Sequence, residues 1–175
     1  MKPKILVFAG SACSQSLNKK LARLGASAVE MAGGEVTLID RRDFPMPIYE
    51  GDLEAAEGVP PNAMKLKELF KAHHGFLISS PENNASVSSL LKNTIDWVSR
   101  AIPREGGKVT YEGKVAAIVS ATAGQPGGIC GLEHLRQILA GLGVLVLPGQ
   151  LGIAAAGSAF DNSGTLKDTR NQKAL

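Results

Sequence analysis

Two short stretches of the chain concentrate groups able to hold a ligand. Gly10 to Asn18 (GSACSQSLN) carries a glycine, three serine hydroxyls and amide side chains. Ser80 to Ser86 (SPENNAS) packs a proline, a carboxylate, two amides and serine hydroxyls into seven residues, far more hydrogen-bonding capacity than a plain connection requires. A third stretch, Ala121 to Gly128 (ATAGQPGG), is rich in glycine, which lets a backbone approach a ligand closely. None of the three carries a nucleophile with an adjacent base. The chemistry on offer is recognition by amides, hydroxyls and backbone N–H groups. If a helix begins after GSACSQS, its free N–H groups and dipole favour a phosphate; the competing reading is a serine-rich cap followed by solvated Lys19 and Lys20.

Positioning such loops requires strands that end where the loops begin. The runs Lys4–Ala9 (KILVFA), Phe76–Ile78 and Lys114–Ser120 (KVAAIVS) are apolar enough to be strands buried on both faces. Glu35–Asp40 alternates like a strand nearer an edge, and Val144–Leu147 reads as the last strand. Between them lie helical stripes. Leu21, Leu24, Ala28 and Met31 mark a helix over 17–31 that Gly33 and Gly34 end. Pro61 opens a second, with Met64, Leu69 and Phe70 inward and Lys65, Lys67 and Lys71 outward. Val87, Leu91, Ile95 and Val98 mark a third, capped by Ser86 or Ser88; Leu132, Leu135, Leu139 and Leu142 mark a fourth. Residues 41–61 show no period and read as a long loop, and 100–113 reads as a flexible connection. The C-terminal TLKDTRNQKAL starts like a helix but has almost no apolar face.

Five strands alternating with helices predict a doubly wound parallel sheet of order 2-1-3-4-5, with helices on both faces and residues 1–175 forming a single domain. In that order ligands bind at the carboxyl ends of strands 1 and 3, where GSACSQS and SPENNAS lie, with ATAGQPGG beside them. Composition excludes other classes. A net charge of +3, with both signs interspersed, predicts neither a nucleic-acid footprint nor a membrane patch, and no apolar run is long enough for a span. Two cysteines, Cys13 and Cys130, suit a reducing, cytoplasmic setting and form no zinc spacing; without an adjacent resolving cysteine, Cys13 reads as a spectator thiol. His73, His74 and His134 lack partners at metal-ligand spacing, and there is no GxSxG elbow, Walker A or GxGxxG. Arg41 and Arg42 read as solvated.

Taken together, GSxxxxSxN after strand 1 and SPENNAS followed by LLKNTIDWVSR resemble the NADPH-dependent FMN reductase family, which includes quinone, azo-dye and chromate reductases. FPMPIYEGDLE and the GG of AGQPGG match family positions as well, so the resemblance covers nearly the whole chain. It implies a flavodoxin-like fold, bound FMN, NADPH or NADH as co-substrate, and a homodimer or homotetramer with flavin sites at the subunit interface. It also implies site residues. Ser11, Ser16 and Asn18 would hold the FMN phosphate; Pro81, Glu82, Asn83 and Asn84 would line one side of the isoalloxazine, with Ser120, Gly124 and Gly128 on the other. Asp96 and Trp97 would be structural, at the helix end and the dimer interface. By resemblance, NAD(P)H delivers hydride to flavin N5, leaves, and a quinone, free flavin, azo or similar acceptor follows in a ping-pong cycle. Two positions depart from the family pattern: Cys13 stands where the family has an arginine, and Asn83 where it has an aromatic. The alternative is a flavodoxin-like binding or regulatory protein whose flavin site has degenerated. A one-electron flavodoxin is disfavoured by the positive charge and by only eight aromatic residues.

Overall fold

A computed structural model describes residues 1–175. The elements run β1 (Lys4–Ala9), α1 (Leu17–Met31), β2 (Glu35–Ile39), α2 (Gly51–Glu57), α3 (Pro61–Ala72), β3 (Gly75–Ser79), a hairpin of β4 (Glu82–Asn83) and β5 (Ser86–Val87), α4 (Ser89–Val98), β6 (Val115–Ala121), α5 (Ile129–Gly141), β7 (Leu145–Ile153) and α6 (Thr169–Ala174). Five strands form one parallel sheet in the order β2-β1-β3-β6-β7. Counting sheet strands alone, this is the expected 2-1-3-4-5. The fold is flavodoxin-like.

Side-chain alternation along the strands feeds two cores. Leu6 and Phe8 point to the face covered by α3, α4 and α5, where Phe76, Ile78, Leu91, Ile95 and Leu132 join them. Phe70 stands at its centre, its ring 5.6 Å from Phe8, 4.8 Å from Phe76 and 5.4 Å from Tyr111. Val7 and Ala9 point to the other face and meet Leu21, Ala22 and Ala26 of α1, with Leu77 and Val119. Every residue of β3 is buried, as a strand at the centre of a doubly covered sheet requires.

Several elements depart from the sequence reading, each because tertiary contacts override local pattern. Residues 41–61 are not a plain loop: a 3₁₀ turn spans Arg41–Asp43, and α2 forms where the Glu50 carboxylate accepts from the N–H groups of Asp52 and Leu53, each at 2.8 Å. Arg41 is not solvated but buried, its Nε on Thr94 Oγ1 at 2.9 Å and an Nη on Phe44 O at 3.2 Å; burial, only partly offset by Asp40, pulls its pKa down to about 10. Lys67 does not point outward. It is fully buried, and its ammonium donates to Val98 O (3.2 Å) and Arg100 O (2.9 Å) at the end of α4, while Leu66 takes the core position that Met64 and Leu69 only partly fill. The 100–113 segment contains a 3₁₀ turn, Gly107–Thr110, and buries Thr110 and Tyr111 completely. Val87 precedes α4, in the hairpin, and β7 runs on through Pro148 and Gly149 to Ile153, since an edge strand tolerates proline. Trp97 is buried within the chain, its Nε1 on Pro47 O at 2.8 Å, so it packs the 45–58 segment onto α4 rather than facing a partner. No helix is long and apolar enough to cross a membrane.

Candidate functional site

Because β1, β3 and β6 are consecutive in the sheet, the three polar stretches leave neighbouring strand ends and lie side by side. Gly10 N–H donates to Ser79 O (2.9 Å) and Ser80 N–H to Val119 O (2.8 Å), which continues the ladder into the loops.

The first loop ends at α1, capped by Ser16, whose hydroxyl accepts from Lys19 N–H at 3.4 Å. Ser11 Oγ accepts from Cys13 N–H at 3.3 Å and shapes the turn. The N–H groups of Ala12, Ser14, Gln15, Leu17 and Asn18 have no acceptor within the chain, so this loop presents a cluster of donors at the positive end of a fifteen-residue helix. That donor set fits a phosphate. Lys19 is not solvated but buried, with its ammonium on Asp40 Oδ2 (2.8 Å) and 3.4 Å from Ala12 O. Arg42 grips the same carboxylate oxygen through Nε (3.1 Å) and Nη2 (2.9 Å). Burial is the largest single influence on Asp40 and favours protonation; the bonds from Lys19 and Arg42 together outweigh it and hold the carboxyl well below the usual range. Asp40, at the end of β2, therefore ties two cations beside the loop.

Asn18 sits in the first turn of α1 but turns its side chain inward, and it is buried. Its Nδ2 donates to Ala121 O at 2.8 Å, and its Oδ1 accepts from Ala121 N–H at 3.0 Å and from Ser79 Oγ at 2.9 Å. The carboxamide is thus spent on the ends of β3 and β6, and only the backbone N–H faces the loop.

The SPENNAS stretch is a β-hairpin rather than a loose loop. Glu82 pairs with Val87 and Asn83 with Ser86, and the turn places Asn84 at φ 50° and Ala85 at φ 57°. Positive φ is easy for asparagine and costly for alanine. The hairpin is braced on both sides. Ser88 caps α4 and donates to Gly10 O at 2.6 Å, joining it to the first loop. The Glu82 carboxylate accepts from Gly131 N–H at 2.8 Å in the first turn of α5, where a helix start favours a negative charge. Gly131 permits this approach: a β-carbon there would lie 3.1 Å from Ser86 O. Asn83 and Asn84 stay exposed, on the rim of a cleft of about 610 Å³ that Lys92 of α4 and His134 of α5 also line.

The glycine-rich loop closes the site. Gly127 (φ 66°) and Gly128 (φ 84°) turn it into α5, and a side chain on Gly128 would collide with Ser120 Oγ. Ser120 is consequently sealed beneath Gly128, its hydroxyl buried without a hydrogen-bond partner, whereas Gly124 is exposed. The structure thus places all ten residues of the sequence expectation on three adjoining loops or on the element ends that flank them. It leaves Ser11, Ser16, Pro81, Asn83, Asn84 and Gly124 at least partly accessible, and turns the side chains of Asn18, Glu82 and Ser120 into the fold. Sequence reasoning missed Asp40, Ser79, Gly131 and the Ser88–Gly10 bond. A glycine inside a helical stripe was the available sign for Gly131; the others depend on which strands become neighbours.

Comparison with known proteins adds independent findings. Residues 3–158 match the model of a family described as NADPH-dependent FMN reductase. An NAD(P)H-dependent FMN reductase of Pseudomonas aeruginosa is 35% identical over 173 residues, covering 98% of this chain and 89% of that protein. A quinone reductase of Pseudomonas putida is 34% identical over 167 residues, covering 94% and 84%. Among solved structures, a flavoenzyme NAD(P)H:(acceptor) oxidoreductase of Paracoccus denitrificans superposes with a TM-score of 0.79 at 25% identity, covering 98% of this chain and 90% of its own.

Proposed function

The chain belongs to the NADPH-dependent FMN reductase family, and on that premise we propose that residues 1–175 form one domain that holds FMN across loops 10–18, 80–88 and 122–128 and passes electrons from NAD(P)H to a quinone, free flavin, azo or similar small acceptor. That it is an FMN-dependent NAD(P)H oxidoreductase follows from the family; the site residues and the acceptor are our reading. One observation carries it: the free N–H cluster ahead of α1 and the exposed hairpin amides stand on adjoining loops, as a ligand with a phosphate at one end and a polar ring at the other requires.

FMN, when bound, supplies the redox chemistry, taking a hydride from NAD(P)H and returning two electrons to the acceptor. The chain's own work is binding and orientation. Ser11, Ser16 and the N–H groups of Leu17 and Asn18 hold the phosphate. Pro81, Asn83 and Asn84 border the ring on the hairpin side, with Gly124 across from them. Glu82 orients the hairpin through Gly131, and Ser120 supports Gly128 from below. Nothing in this scheme needs an acid–base pair from the protein. The acceptor class is proposed from the relatives named quinone reductase. A homodimer or homotetramer is proposed with it, since the open cleft beside Asn83 and Asn84 leaves the ring side of one chain exposed. Two free, exposed thiols, Cys13 and Cys130, support a cytoplasmic setting.

Steady-state rates with NADPH and a quinone as varied substrates test the reading. Parallel double-reciprocal lines are expected of a ping-pong cycle. Flavin bound without NAD(P)H oxidation would favour the binding or regulatory alternative.

A further inference from the structure

The three hydrogen bonds of Asn18 are more than a helix needs to start. Ser16 already caps α1, and Leu21, Ala22 and Ala26 already bury it against the sheet, with Gly25 close on Leu77. Asn18 adds a reach. From the foot of α1, which follows β1, its carboxamide crosses the end of β3 and pairs with both the N–H and the C=O of Ala121, the last residue of β6. Ser79, the last residue of β3, donates to the same amide oxygen. One side chain at the end of the first loop therefore bonds the origins of the other two. The pair with Ala121 uses a donor and an acceptor at once, so it fixes both separation and orientation, which an apolar side chain of equal volume would not. Its other end is the first turn of α1, whose N–H groups form the phosphate end of the site.

We propose that Asn18 is a positioning residue that sets the distance between the phosphate end and the ring end of the site, rather than a ligand of the phosphate through its side chain. This rests on the FMN reading above. A ligand anchored at both ends gains from the second contact only when the two half-sites are held at the span of the molecule. Asn18 supplies that constraint from beneath the site. FMN carries both the ring and the phosphate; riboflavin carries the ring alone, and inorganic phosphate the charge alone. Loss of the constraint weakens FMN and spares the two halves.

The test is binding, read without turnover. FMN and riboflavin are titrated by quenching of flavin fluorescence, and phosphate by its competition with FMN, on wild type, Asn18→Ala and Ser79→Ala. Ser79→Ala removes one of the three bonds of Asn18 without adding charge, which leaves a folded variant to measure if the Asn18→Ala protein does not fold. In Asn18→Ala, FMN should bind about 10- to 100-fold more weakly, while riboflavin and phosphate stay within about twofold of wild type. Ser79→Ala should fall between. Unchanged FMN affinity in these variants overturns the proposal, and so does a loss of phosphate affinity in step with FMN, which would make Asn18 a direct phosphate contact. Wild-type protein that binds FMN no better than riboflavin overturns it too. Wild-type protein that binds neither flavin contradicts the functional reading itself.

Discussion

At the scale of single residues, the site is built from side chains whose polar atoms are mostly committed to the protein. Asp40 shows this most directly: it holds Lys19 and Arg42 beside the first loop, and Lys19 in turn approaches Ala12 O. Its folded-state pKa is lowered, so its contribution to stability is present above the unfolded value and is lost as pH falls. The stability difference between wild type and Asp40→Asn should be constant above about pH 5 and shrink progressively below about pH 4, measured by urea unfolding at a series of pH values. A difference that grows in acid would contradict the assignment. Ala85 offers the opposite lesson. An alanine at φ 57° in the hairpin turn is strained, so Ala85→Gly should raise stability by about 1 kcal/mol, seen as a higher urea midpoint with unchanged slope. These roles were only partly legible in the sequence. Ser11, Ser16, Asn83 and Asn84 could be named from composition and resemblance, but the inward turn of Asn18 and Glu82 depends on partners 103 and 49 residues away.

At the scale of elements, periodicity located what packing agrees with and missed what packing imposes. The bounds of α1, Leu17–Met31, were readable because Ser16 and Gly33 frame it, but its stripe was not: Leu21, Ala22 and Ala26 are buried, Leu24 and Ala28 only partly so, and Met31 is exposed. The hairpin was not readable. Its turn, Asn84–Ala85, lacks the glycine that marks a tight hairpin, and two-residue strands carry no period. Lys67 was misread for a related reason: a lysine on a helix reads as solvated, yet α3 places it under the end of α4, where Val98 and Arg100 lack helical partners for their carbonyls. Lys67→Met, which keeps the volume and removes the cation, should cost about 1 to 3 kcal/mol by leaving Arg100 O unpaired, Val98 O with Thr110 Oγ1 alone and Glu105 Oε1 without its ammonium. Thermal unfolding measures this, and a neutral or stabilising substitution would show that the ammonium is dispensable there.

At the scale of the whole molecule, the order of the sheet was the most legible feature, and it decides the location of the site. Near-continuous apolar strands separated by helical stripes leave few topologies, and the polar content of the loops after β1, β3 and β6 selects one end of the sheet. The proposed reading is that these loops hold FMN and that NAD(P)H reduces it there. The direct measurement is an anaerobic titration of the purified, FMN-loaded protein with NADPH, followed through the visible absorption of the flavin. FMN should be retained at micromolar concentration, about −8 kcal/mol of binding, and the oxidised band should be lost at one equivalent of NADPH. Protein that fails to retain FMN at that concentration, or whose bound flavin stays oxidised when NADPH is added, would contradict it.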